Sequence, residues 1–246
     1  MWEDAALTGS LAIAAGLTLG PIVSGFLTWI TPCPTVSPFV LDIVVGAILA
    51  AALMRIPETR PSTAPAVPRP PLVHVPVEIR PAFVATALSG AASFMVVGWV
   101  LGLSPSYLHE QLQIRITQPI VAGWFAALVM AVNGAVQVAF RHRHRVTAVC
   151  VAQAGLVVGM GCMAASTVVN SLAVAVIGAV IAGGGAGLAQ MNAMAAIQRI
   201  TPAASRSAVI SAYFTCCYLG LSVPVIIAGI AADRVGSGEA LAEQIG

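Results

Sequence analysis

Apolar and polar stretches alternate along this chain. Each apolar run holds roughly 20 residues or more, the length that a helix needs to cross the hydrocarbon core of a bilayer. The polar stretches between the runs are short, with one exception, and the tail after Asp233 is also short and polar. The pattern predicts an all-α membrane protein with about seven transmembrane helices, over residues 5–30, 37–54, 81–103, 118–140, 146–167, 172–197 and 207–232.

The exception lies between the second and third runs. Residues 55–80 are rich in proline and arginine and show no apolar periodicity, so they are predicted to form a polar linker. The chain is therefore expected to consist of a two-helix group at 1–54, a cytoplasmic linker at 55–80 and a five-helix group at 81–246.

Composition agrees with a protein embedded in lipid. Hydrophobic residues make up 59% of the 246 residues and charged residues only 8%, whereas a soluble domain carries about 25% charge. All eleven basic residues are arginine, which excludes a retinal pigment because its Schiff base needs a lysine. The five cysteines lack metal-binding spacing, and no nucleophile motif occurs. We expect no enzymatic activity, cofactor, metal or nucleic-acid partner.

The arginines predict the orientation of the helices, because cytoplasmic loops of membrane proteins carry an excess of basic residues. With the linker in the cytoplasm, nine of the eleven arginines fall on that side, and only Arg115 and Arg234 fall outside. Trp29, Trp99 and Trp124 then lie toward the outer ends of their helices, as in an interfacial aromatic belt. The N-terminus is therefore predicted to be cytoplasmic. The lack of lysine indicates a GC-rich genome, and we expect a bacterial inner membrane.

The first apolar run contains a motif of small residues and proline. Gly16, Gly20, Pro21 and Gly25 follow a pattern of glycine, three residues, Gly-Pro, two residues and two glycines, with Ser24 at the first of those two. Such residues weaken a helix in water, but in a bilayer they allow neighbouring helices to approach closely. The motif therefore predicts a tightly packed helix with a local bend at the proline.

Two further segments follow in a matching order. Residues 56–60 read Ile-Pro-Glu-Thr-Arg, and residues 229–236 read Gly-Ile-Ala-Ala-Asp-Arg-Val-Gly. With the first motif, they make the chain resemble the major facilitator superfamily, and in particular its drug/proton antiporters. The resemblance implies helices five to eleven of twelve, and thus an incomplete bundle in two unequal groups. It also implies that the Gly-Pro motif packs between two groups that rock about a central site.

Polar and aromatic residues inside the runs are candidates for substrate contact. Asn133 and Gln137 are four residues apart and share one face of the fourth helix, and Gln190 lies in the sixth. Hydrogen bonding between helices is the alternative role for these amides. The resemblance places Trp99 and Tyr213 on helices that line the cavity, where aromatic rings can stack on an organic or cationic substrate. Ordinary packing is the alternative for both rings.

Asp42 is the carboxylate that lies well inside a predicted helix. A buried acid is a natural proton carrier in a transporter. Asp42 also lies one turn after Pro38, near a helix start where Ser37 is a predicted N-cap. A helix N-terminus stabilises a negative charge, so a structural role is the alternative.

These features predict a secondary active transporter of small organic molecules that works by alternating access. The antiporter-like motif favours proton-coupled efflux, so the expected partners are the lipid bilayer, a small-molecule substrate and protons. The uneven helix count leaves a second hypothesis open, a truncated membrane protein that does not transport or that serves as an interaction partner. A seven-helix receptor matches on helix count alone.

Overall fold

The residues that the structure describes form seven α-helices. A computed structural model describes residues 2–34, 36–55, 75–108, 120–140, 147–202 and 205–245. A short 3₁₀ turn at Val77–Ile79 leads into the third helix. The helices are α1 (Trp2–Ile30), α2 (Ser37–Leu53), α3 (Arg80–Ser106), α4 (Ile120–Phe140), α5 (Thr147–Val169), α6 (Leu172–Ile200) and α7 (Arg206–Ile245).

The helices have the dimensions of membrane spans. Five helical segments in the described ranges are long and apolar enough to cross a membrane. Two further apolar segments, Thr18–Ile30 and Ser37–Leu53, are shorter. The predicted all-α membrane class is therefore confirmed. The long segments are 77–106, 121–140, 149–169, 172–200 and 206–230.

Small residues on α6 allow the helices to pack closely around it. The side chains of Ala175, Ala179, Ala182 and Ala186 recur every three or four residues and are fully enclosed. Because these side chains are short, α6 packs closely against α5 and also contacts α3 and α4. In addition, α7 packs along α3, and α1 packs principally against α4.

Hydrogen bonds join α3 to α5 at two levels in the described residues. Near the start of both helices, Gln153 Nε2 donates a hydrogen bond of 2.6 Å to Ser89 Oγ. Near their ends, the Tyr107 hydroxyl donates to the carbonyl oxygen of Met163 at 3.0 Å and also contacts the Ser166 hydroxyl. The two helices therefore run in the same direction.

Most helix ends lie within about three residues of the predicted bounds, and two ends differ in kind. Ser37 is the first residue of α2 rather than its N-cap, which is Val36, and its hydroxyl hydrogen-bonds Thr31 Oγ1 at 2.7 Å. The tail after Asp233 continues α7 to Ile245 instead of leaving the helix. With 40 residues, α7 is about 60 Å long, roughly twice the hydrocarbon thickness.

Candidate functional site

Three carboxamide side chains meet where α4 crosses α6. Gln137 Nε2 donates a hydrogen bond of 2.7 Å to Asn133 Oδ1, one turn earlier on α4. The same nitrogen donates a hydrogen bond of 3.3 Å to Gln190 Oε1 on α6. Asn133 is buried, with 6% of its surface exposed, whereas Gln137 and Gln190 are partly exposed. We call Asn133, Gln137 and Gln190 the amide cluster.

The amide cluster depends on a close approach of the two helix backbones. Gly187 on α6 lies directly against the backbone of Asn133, and a Cβ atom at this glycine would collide with the Asn133 carbonyl oxygen. Gln190 follows three residues later on α6. Because residues three apart are neighbours on a helix surface, the contact at Gly187 brings Gln190 within reach of Gln137.

Apolar surroundings raise the significance of the cluster. Neither α4 nor the stretch 172–198 of α6 contains a charged residue. Gln190 lies four residues past the middle of α6, about 6 Å along its axis. Intramembrane polar groups of this kind face the bundle interior or a wet cavity and mark substrate pathways. The cluster therefore has the chemistry of a hydrogen-bonding site between α4 and α6, with Gln137 within one turn of the end of α4.

The two aromatic candidates lie apart from the cluster. The Trp99 ring packs edge-on against Tyr107, with ring centroids 5.0 Å apart, and Tyr107 in turn neighbours Phe125. Tyr213 is 2% exposed and fills the space above Gly90, where a Cβ atom would lie 2.5 Å from its hydroxyl oxygen. Both rings have packing roles in this structure, and neither contacts an amide of the cluster.

The Gly-Pro motif of α1 divides between two faces of the helix. Gly123 on α4 packs against α1 so closely that an added Cβ would lie 2.5 Å from the Pro21 carbonyl oxygen and 3.6 Å from the Gly25 Cα. Around Gly16 and Gly20, by contrast, no atom of the described residues lies within 4 Å of an added Cβ. Pro21 and Gly25 therefore form the backbone contact with α4, and the other two glycines do not take part in it.

Gly16 and Gly20 instead line a groove of about 850 Å³ between α1 and α2. Asp42 lies on the α2 side of this groove, and its side chain is exposed. Asp42 lies in the second turn of α2, one turn after Pro38. Its stabilisation by the helix start stays a prediction, beside the role of proton carrier. Ser24 and Thr28 of α1 line the same groove.

The sequence did not show the roles of several other polar groups. The Nδ2 atom of Asn192 is a buried side-chain donor without a partner in the described part of the chain. Gln153 and Ser166 are polar residues within apolar runs, but the sequence does not identify their hydrogen-bond partners. The structure shows that Gln153 bonds Ser89 and that Ser166 bonds Tyr107. The predicted motif at residues 56–60 and the arginine-rich turn at residues 141–145 lie outside the described residues.

A comparison with protein families decides the relationship. The family model described as Major Facilitator Superfamily matches residues 8–224. The chain belongs to the major facilitator superfamily. The members of this superfamily are membrane transporters, and the chain is accordingly a multi-pass membrane protein of the transporter class. No curated protein and no solved structure matches the chain significantly.

The match to the major facilitator superfamily covers most of the described helices. It extends from α1 to the Pro224 region of α7 and includes every residue of the amide cluster. The α1–α4 contact and the cluster therefore both lie within the matched region.

Proposed function

We propose that the chain moves a small organic molecule across the membrane by alternating access, with the amide cluster contacting the substrate. The cluster supports this proposal because it places three hydrogen-bonding side chains, two of them partly exposed, inside an uncharged part of the bundle. Such groups are costly in lipid and are retained where a polar molecule passes. Asn133, Gln137 and Gln190 would then bind substrate, while Trp99 and Tyr213 would shape the wall by packing.

The arrangement of α1 and α2 supports movement of two groups against each other. α1 packs principally against α4, and α2 contacts α1. We propose that residues 1–54 move as one group against residues 81–246, with residues 55–80 as the cytoplasmic linker. The α1–α4 contact at Gly123 would be the seam along which they rock, because small residues permit close sliding of backbones.

Direction and coupling are proposed from the resemblance to drug/proton antiporters. We propose proton-coupled export from a bacterial inner membrane, with the N-terminus in the cytoplasm, as the distribution of arginines favours. Asp42 is our candidate proton carrier. It lies inside an apolar helix and in the wall of a groove, where a carboxylate can exchange a proton with solvent.

Two-sided labelling tests alternating access without knowledge of the substrate. The five native cysteines are replaced, and Gln190→Cys is introduced into the full chain in membrane vesicles. A membrane-impermeant thiol reagent is then added from either side. We expect labelling from both sides, because a carrier opens its central site to each in turn.

Ala193→Cys is the matched control for this experiment. It lies three residues further along α6, is 3% exposed and should be protected from both sides. If Cys at position 190 reacts from one side only, or from neither, the chain does not work by alternating access. That result would favour the alternative of a membrane protein that does not transport.

A further inference from the structure

The hydrogen bonds inside the amide cluster set its selectivity. We propose that the cluster is a hydrogen-bond donor site, which selects molecules that present carbonyl or carboxylate oxygens, and that Gln137 is the residue that positions it. This inference rests on the proposed function, because it names the substrate class of the same site. It follows from which atoms of the three amides are already bonded.

A carboxamide carries two N–H donors and one carbonyl acceptor. Gln137 Nε2 uses its two hydrogens to bond Asn133 Oδ1 at 2.7 Å and Gln190 Oε1 at 3.3 Å. The carbonyl groups of Asn133 and Gln190 therefore face Gln137. Because the oxygen and nitrogen of an amide point in different directions, the NH₂ groups of these two residues point away from Gln137. The cluster thus offers four N–H donors but only one wholly unbonded carbonyl, that of Gln137.

These donors remain accessible. Within the described ranges, the buried side-chain polar atom that lacks a partner is Asn192 Nδ2, and neither Asn133 Nδ2 nor Gln190 Nε2 is in that state. No hydrogen bond to another described residue occupies either nitrogen. Both NH₂ groups are therefore open to a molecule that enters the site.

The stretches of α4 and α6 that carry the cluster contain no acidic or basic residue. The nearest charged residues along the sequence are Arg141, four residues after Gln137, and Arg199, nine residues after Gln190. A molecule rich in acceptors would satisfy the four donors, whereas a molecule with donors alone would leave them unpaired in a low-dielectric site. Unpaired buried donors are costly, and a difference of about tenfold in affinity between the two kinds of molecule is the expected scale.

Three probes that share one phenyl ring test the inference. Benzoate and N,N-dimethylbenzamide only accept hydrogen bonds, and benzamidinium only donates them. Binding of each probe to the full chain in detergent is measured by isothermal titration calorimetry. We expect benzoate and N,N-dimethylbenzamide to bind about tenfold more tightly than benzamidinium. The neutral amide separates hydrogen bonding from charge, because it must share the preference shown by the anion.

Gln137→Glu should weaken the binding of N,N-dimethylbenzamide, the uncharged acceptor. A carboxylate accepts hydrogen bonds, so Asn133 and Gln190 would turn their NH₂ groups toward it and present their carbonyl groups to the probe. The two charged probes do not test this step, because the new carboxylate attracts benzamidinium and repels benzoate by charge alone. Gln153→Glu is the control, since it places the same change at a second intramembrane glutamine, on α5, which bonds Ser89 instead. The control should bind N,N-dimethylbenzamide as the wild type does.

Each outcome decides a different claim. Equal binding of the probes, or tighter binding of benzamidinium by the wild type, overturns the donor site. Unchanged binding of N,N-dimethylbenzamide by Gln137→Glu overturns the positioning role of Gln137. If no probe binds, the cluster is not a ligand site and the inference fails with it. Alternating access is then still decided separately by the labelling at position 190.

Discussion

Replacement of Gly123 by alanine tests the α1–α4 contact most directly. The new Cβ would lie 2.5 Å from the carbonyl oxygen of Pro21 and 3.4 Å from its carbonyl carbon. Both are backbone atoms of a helix, so they cannot move aside by a change of rotamer. Gly20→Ala is the matched variant, since it lies in the motif on α1 but faces the groove, where nothing in the described chain lies within 4 Å.

The expected magnitude follows from two opposing terms. Extra volume in a well-packed contact costs about 1–3 kcal/mol. Alanine also favours a helix over glycine by roughly 0.5–1 kcal/mol, but this gain applies equally to both variants. The difference between Gly123→Ala and Gly20→Ala therefore isolates the steric term. It should be about 1–3 kcal/mol, or roughly 5- to 150-fold in the unfolding equilibrium, with Gly123→Ala the less stable.

The free energy of unfolding can be measured by titration of the purified chain with sodium dodecyl sulfate in mixed micelles. Trp124, next to Gly123, and Trp29, on α1, report the transition by their fluorescence. Gly161→Ala on α5 is a further control, because its Cβ also meets nothing within 4 Å among the described residues. If Gly123→Ala and Gly20→Ala differ by less than about 0.5 kcal/mol, the packing of α1 on α4 described here is wrong.

Two other substitutions probe polar groups. Tyr107→Phe keeps the ring packing but removes the hydroxyl that bonds Met163 and Ser166, so it should lower the free energy of unfolding by about 1–2 kcal/mol. The control Tyr218→Phe, at a ring that is 59% exposed, should change this free energy little. Equal effects of the two substitutions would contradict the buried hydrogen bonds of Tyr107. Asp42→Asn should abolish substrate flux that is driven by a pH gradient in proteoliposomes, but it should spare substrate exchange in the absence of a gradient. Unchanged gradient-driven flux would remove Asp42 from the coupling mechanism.

The sequence predicted the number of helices and most of their ends, because length and hydropathy of apolar runs are strong local signals. It failed after Asp233, where hydropathy falls but Ala240, Leu241 and Ala242 still favour a helix. Hydropathy shows where a helix leaves the membrane, but it does not show where the helix itself ends. In α7 these two points differ, and the second depends on helix propensity.

The candidate site was predictable within one helix and not between helices. The spacing of Asn133 and Gln137 placed both on one face, and the structure bonds them to each other. Nothing local indicates that Gln190 joins them, because that depends on the backbone approach at Gly187. The partner of Trp99 also lies outside its own stretch of apolar sequence, on the residue Tyr107 after the end of α3, and the sequence did not indicate this packing.

The Gly-Pro motif shows the same limit. Spacing of four places Gly16 and Gly20 on one face of α1, and Pro21 and Gly25 on the next face. The sequence predicted close packing for all four, but it does not say which face meets a neighbour. In the structure, the face with Pro21 meets Gly123, and the face with Gly20 borders the groove.

The partnership of α1 with α4 has a consequence for biosynthesis. Pro21 and Gly123 are separated by about 100 residues, which a ribosome needs roughly 5–20 s to add. During that interval the newly inserted α1 must wait in lipid, or beside the insertion machinery, before α4 emerges to receive it. Variants that weaken the seam would leave α1 without a firm partner even after α4 has emerged. The new chain would then be exposed to membrane proteases, so their first visible effect in cells would be a lower yield of protein.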